Sequence, residues 1–156
     1  MKLQVLQEDF SKALTSASRF TSTRAQLPVL GNLLLEAKKN KIVIASTNLE
    51  TSISISVGAK TDKEGEITIP AKTITDLVNN LSPGNVELTA EKEKLSVKAE
   101  GASSVIAGMN SSDFPKVPTS VGNPAIDLPT EDFSNALAKV LFAVSADETR
   151  PILTGV

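Results

Sequence analysis

Histidine, cysteine, tryptophan and tyrosine are all missing from the 156-residue sequence, and its aromatic content is five phenylalanines. Without His or Cys there is no Ser-His-Asp or Cys-His nucleophile pair, no imidazole titrating near neutral pH and no thiolate or imidazole zinc site. Any catalysis is left to carboxylates, Lys, Ser or Thr. No disulfide framework is possible, which is compatible with a reducing cytosol. Long hydrophobic runs are missing too: the longest, Val140 to Val144, has five residues. That is far short of a membrane span or a signal-peptide core. Neither sign of charge dominates, with 16 Lys plus Arg against 18 Asp plus Glu. Such a chain does not coat nucleic acid all over, but one basic face on an acidic body remains open to it.

What is present is patterned. Leu3 and Val5 alternate with polar residues as in a strand, and Phe10, Ala13, Leu14 and Ala17 then recur at helical spacing, with Glu8 and Asp9 where a helix N-terminus favours negative charge. Three extended stretches follow: Val29 to Ala37, Ile42 to Ala45 and Thr51 to Val57, the last alternating Ile and Val with Ser. The same order begins again near residue 65. Ile67 and Ile69 form a short strand, and Ile74, Leu77, Val78 and Leu81 form a helical stripe stopped by Ser82-Pro83-Gly84. Val86 and Leu88 pair with Leu95 and Val97 in a hairpin, and Ser103 to Gly108 supplies another strand. Strand, helix, three strands is thus stated twice, the element order of an α+β fold.

Residues 110 to 125 are rich in turn formers and read as a connector. Beyond it, Ile126 to Leu128 alternates like a strand and Thr130 suits a helix N-cap. Glu131-Asp132-Phe133-Ser134-Asn135-Ala136-Leu137 then repeats Glu8-Asp9-Phe10-Ser11-Lys12-Ala13-Leu14 at an offset of 123 positions, and in the same register Ser145 falls on Ser22, Pro151 on Pro28 and Leu153 on Leu30. A shared register of that length marks an internal repeat. The expectation is one whole unit, residues 1–122, followed by the beginning of a second, residues 123–156, with an amphipathic helix through Val144 and the start of a strand, as a fragment of a longer protein of tandem units.

The carboxylates come in sequence pairs, Asp62 with Glu64, Glu91 with Glu93 and Asp147 with Glu148, each in a predicted turn where charge means solvation. Gly58, Gly65 and Gly84 stand alone, so no phosphate-cradling Gly-rich loop exists. The basic residues carry more information. Lys12, Ser16 and Arg19 recur at i, i+4 and i+7, opposite the first helix's apolar stripe. Lys72, Thr75 and Asn79 are expected on the outer side of the second helix, and Asn135 and Lys139 on that of the third. Arg24 lies in a long connection among Ser22, Thr23 and Gln26, a setting suited to phosphate contact.

Met1-Lys-Leu, Arg24 with Leu27-Pro-Val-Leu-Gly-Asn-Leu-Leu-Leu35, Thr47-Asn-Leu-Glu50, Ile69-Pro-Ala-Lys72, Asp113-Phe-Pro115 and Glu148-Thr-Arg-Pro-Ile-Leu-Thr-Gly-Val156 together resemble the bacterial sliding clamp family, the β subunit of DNA polymerase III. The resemblance covers the whole chain. It implies the DNA-clamp fold, with tandem units, antiparallel sheets and helices on one face, and three such domains per subunit. Two subunits close as a homodimer ring around duplex DNA, the first domain meeting its neighbour through its second helix and the strand near Ser103 to Gly108.

The implied function is that of a processivity factor in DNA replication, which tethers the replicative polymerase without sequence preference and has no catalytic activity, cofactor or metal of its own. Its partners are duplex DNA and, through later domains, the DNA polymerase III catalytic subunit and the clamp loader; it is cytoplasmic and has no membrane partner. Carried over by position, Arg24 matches a DNA-contacting Arg, with Lys12, Arg19, Lys72 and Lys139 as further DNA-binding candidates on the helix faces. Arg150 and Leu153 match the edge of the cleft that receives partner peptides. Two other classes stand beside this reading: a non-catalytic protein-binding adaptor without DNA binding, and a hydrolase using converging carboxylates.

Overall fold

The computed structural model describes residues 1–22, 27–118, 126–147 and 149–156. The chain divides into two compact units, Met1–Thr119 and Ser120–Val156. In the first, β1 (Lys2–Leu6) runs directly into α1 (Gln7–Ser18), and after a 3-10 turn at Pro28–Gly31 come β2 (Asn32–Lys38), β3 (Lys41–Thr47) and β4 (Ser52–Lys63). β5 (Gly65–Pro70), α2 (Ala71–Asn79), β6 (Asn85–Glu91), β7 (Lys94–Ala99) and β8 (Ala102–Ala107) repeat that order. The doubled strand-helix-three-strand pattern is therefore observed.

All the strands pair antiparallel, in the order β5-β2-β3-β4-β1-β6-β7-β8. β4 joins the two halves: Ser52 to Gly58 pair with β3, and Ala59 to Lys63 pair with β1. The outermost strands are then drawn together, because Thr68 in β5 exchanges two backbone hydrogen bonds with Met109, just beyond β8, at 3.1 and 2.9 Å. Gly108 makes this approach possible. A Cβ there would sit 2.5 Å from the Thr68 carbonyl oxygen and 2.6 Å from a methyl of Ile69, closer than any side chain tolerates.

The core lies between this nearly closed sheet and the helices. Leu3, Phe10, Leu14, Leu35, Ile44, Ile69, Ile74 and Leu88 are wholly buried in one cluster, contributing about 1.5–3 kcal/mol each relative to exposure. α1 buries Phe10, Ala13, Leu14 and Ala17 and carries Glu8 and Asp9 in its first turn, where their charge opposes the helix dipole. Its last turn is satisfied from the sheet, since Ser46 Oγ donates to the Ala17 carbonyl at 2.6 Å.

Several boundaries differ from the sequence expectation. Val29 and Leu30 are not in a strand: they turn into a 3-10 helix because they pack with Phe114 in a small separate cluster, and the ladder begins only at Asn32. α2 stops at Asn79, short of Leu81. Its buried side is Ala71, Ile74, Thr75 and Val78, so Thr75 points inward and not outward with Lys72 and Asn79. Leu81 lies beyond the helix and still packs against the core, so counting it in the apolar stripe shifts the expected buried side away from Thr75.

The second unit contains α3 (Thr130–Val140), a 3-10 turn at Leu141–Ala143 and another at Pro151–Thr154. Ile126 to Leu128 belongs to no strand, α3 ends before Val144, and Pro151–Thr154 is a 3-10 turn where a strand was expected. Thr130 is the first helical residue, behind Pro129, and makes no side-chain cap. The repeat register nonetheless holds to the residue. α1 starts at Gln7 and α3 at Thr130; the 3-10 turns start at Pro28 and Pro151. Ser22 N donates to Leu30 O at 2.9 Å, and Ser145 N to Leu153 O at the same distance. The equivalent stripe in α3 is not covered: Phe133 is 50% exposed where Phe10 is fully buried.

Candidate nucleic-acid interface

α1 and α2 lie against one another, and polar contacts fix their junction. Gln7 at the head of α1 is buried and donates through Nε2 to the Val78 carbonyl at 2.8 Å, while its backbone N–H donates to Gly84 O at 2.8 Å. The first bond ties the start of α1 to the end of α2, and the second ties it to the connection between α2 and β6. Nearer the surface, Ser11 Oγ donates to Asn79 Oδ1 at 2.6 Å. On the exposed side of this pair of helices stand Lys12 and Ser16 from α1, Arg19 just past its end, and Lys72, Thr73, Asp76 and Asn79 from α2. Lys12 and Ser16 also border a shallow groove of about 410 Å³ between α1 and β4, with Asp9, Ile55 and Ser56.

The structure thus brings Lys12, Arg19 and Lys72 to the exposed side of one helix pair. Among the described residues none of the three has an ion-pair partner; the ion pairs found there are Lys2 with Glu87 and Lys38 with Glu36. A Lys or Arg without a carboxylate partner keeps its donors for an outside anion. Lys139 is exposed on α3, in the second unit, and so are Arg150 and Leu153, which flank and enter the 3-10 turn at Pro151–Thr154. Arg24 lies outside the described residues.

Two side chains before Arg150 accept hydrogen bonds from nearby backbone. Asp147 N donates to Ser145 Oγ at 3.0 Å, and Thr149 N donates to Asp147 Oδ1 at 2.9 Å. The Thr149 backbone N–H holds the Asp147 carboxyl below the usual carboxylate range.

Lysines also lie elsewhere. Lys92, Lys94 and Lys98 border a groove of about 780 Å³ on the outer side of β6, β7 and β8, but Glu91 and Glu93 share that rim. Among the described residues no three His, Cys, Asp or Glu side chains gather as a metal site, and no helix is long and apolar enough to cross a membrane.

Gln7 and the Ser11–Asn79 pair were not singled out from the sequence. Gln7 could have been, because the Leu3, Val5 alternation carries inward to position 7 and leaves Leu6 outside, 54% exposed. Nothing in the sequence pairs Ser11 with Asn79.

Residues 1–118 match the family described as DNA polymerase III beta subunit, N-terminal domain. The chain belongs to this family. Curated relatives agree: the beta sliding clamp of Synechocystis is 36% identical over 165 residues, covering all of this chain and 42% of that protein. The beta sliding clamp of Synechococcus elongatus is 32% identical over 160 residues, with the same coverage. Among solved structures, the DNA polymerase sliding clamp of Caulobacter crescentus superposes with a TM-score of 0.86 at 30% identity, over 99% of this chain and 43% of that one. The chain therefore spans about two fifths of the length of these sliding-clamp relatives.

Proposed function

We propose that this chain is the DNA-facing first part of a ring-forming sliding clamp, a replication processivity factor that encircles duplex DNA and tethers the replicative polymerase. Residues 1–122 form its N-terminal clamp domain and residues 123–156 the opening of the central one. The observation that carries this reading is the helix pair α1 and α2, which exposes Lys12, Arg19 and Lys72 without ion-pair partners among the described residues. Family membership supports it.

The physics suits sliding. Phosphates release condensed counterions to Lys and Arg regardless of sequence, so the attraction is general and salt-sensitive. A few cations among Ser, Thr and Asn make weak contacts that exchange as the protein moves. Retention then comes from encirclement, which keeps a bound polymerase at high effective concentration near the primer end. No step of this role requires the chain to make or break a bond, and it acts as a non-catalytic accessory subunit in the cytoplasm.

Within this reading Lys12, Arg19, Arg24 and Lys72 contact DNA from the first domain and Lys139 from the second. Arg150 and Leu153 lie at the edge of the cleft for peptides of the polymerase and clamp loader, which the later domains complete. The homodimer ring forms in the full-length protein.

Titrating the chain with two duplexes of unrelated sequence tests the proposal. Expected are equal, weak affinities that fall linearly in log K against log salt, with a slope near −0.9 for each phosphate neutralised. Combining Lys12→Ala with Arg24→Ala weakens both alike and flattens the slope. An unchanged low-salt titration for that double variant contradicts the assignment of this face.

A further inference from the structure

At the exposed edge of the helix pair, Ser11 Oγ donates to Asn79 Oδ1 at 2.6 Å. Ser11 directly precedes Lys12, and Asn79 stands two turns after Lys72 on the exposed side of α2. The Asn79 oxygen is engaged by Ser11, and among the described residues no acceptor takes the two Nδ2 hydrogens. Asn79 is exposed, so these donors are open to solvent.

Charge on α2 makes those donors matter. Its exposed side carries one cation, Lys72, and one anion, Asp76, so it brings no net charge toward a phosphate. On α1, Asp9 stands one turn before Lys12. What α2 offers a phosphate oxygen beyond Lys72 is therefore a neutral donor. Amide side chains commonly contact DNA phosphates in this way, fixing position without reading sequence.

We propose, resting on the DNA-contact reading above, that Asn79 is a phosphate-contacting residue and Ser11 its positioning residue. The Ser11 hydroxyl holds the Asn79 amide with its N–H groups outward, so that a single phosphate is met between the cations of α1 and α2. This contact is uncharged and releases no counterion. It adds affinity without adding to the salt dependence, which sets it apart from Lys12 and Lys72.

The test is fluorescence anisotropy of a short labelled duplex titrated with the 156-residue chain over a series of salt concentrations. Asn79→Ala is expected to weaken binding about 3- to 10-fold at every salt, the range for loss of one hydrogen bond, with the slope of log K against log salt unchanged. Lys12→Ala, by contrast, reduces the magnitude of that slope by about 0.9. Ser11→Ala gives a smaller loss of affinity, and Ser11→Thr, which keeps the hydroxyl, restores it. Asn79 is exposed, so its variants are expected to fold, which circular dichroism checks. If Asn79→Ala lowers only the melting temperature and binds DNA like the parent while Lys12→Ala still flattens the slope, the inference is overturned and the DNA-contact reading stands. If Lys12→Ala also changes neither affinity nor slope, or no duplex binding is seen at low salt, the DNA-contact reading fails with it.

Discussion

Thr75 is 8% exposed, and its hydroxyl has no hydrogen-bond partner among the described residues. A buried hydroxyl left unpaired loses its water without compensation, whereas a methyl of the same shape has nothing to lose. Thr75→Val is therefore expected to raise the stability of the first unit by about 1 kcal/mol, read as a higher urea midpoint with unchanged m value. A lower midpoint would mean that the hydroxyl has a partner. The same residue shows where sequence reading ends at this scale. Phe10 and Leu14 announce their burial by period and chemistry, but Thr is at home on either side of a helix, and only the true end of α2 at Asn79 fixes which way Thr75 turns. Gln7 and Ser46 are hidden for a related reason: each is a polar residue buried because it completes a helix terminus, and the carbonyls they meet, on Val78 and Ala17, are distant in sequence.

Among the elements, the order and type of the β-strands and α-helices described in the first unit are legible in the sequence, because Ile, Val and Leu there alternate or recur with a clean period. Failures cluster where tertiary packing overrides local pattern. Val29 and Leu30 look like strand residues and leave the ladder to meet Phe114, and Ile126 to Leu128 has the alternation of a strand but no partner strand among the described residues. The repeat was legible, and the matched hydrogen bonds of Ser22 and Ser145 give it a structural counterpart. The turn after α3 also carries a pH dependence. The fold lowers the Asp147 pKa by stabilising the carboxylate form, so its contribution is present above the ordinary Asp range and is lost as pH falls through the lowered value. Acidification is thus expected to speed amide hydrogen exchange at Thr149 relative to Asp147→Asn at the same pH, after correction for intrinsic rates; protection that is independent of pH in both would contradict this.

At the scale of the molecule, the sequence pattern gives the doubled strand-helix-three-strand order and the family resemblance implies antiparallel sheets with helices on one face, but neither says that β5 and the end of β8 meet. That closure depends on Gly108 and on the Thr68–Met109 bonds, for which composition and period give no signal. The candidate interface was legible in part for the same reason. Helical period located Lys12, Arg19 and Lys72, whereas the contact of α1 with α2 that gathers them is a product of the fold. Cations are not confined to this face, since Lys92, Lys94 and Lys98 lie on the outer side of the sheet. Their sharing of a rim with Glu91 and Glu93 is why the account assigns DNA to the helices. Nuclear magnetic resonance titration of the labelled chain with a short duplex at low salt decides between the two faces. Shifts centred on Lys12, Ser16, Arg19, Lys72 and Asn79 are the predicted result, and shifts centred on Lys94, Ser96 and Lys98 with the helices unmoved would contradict it.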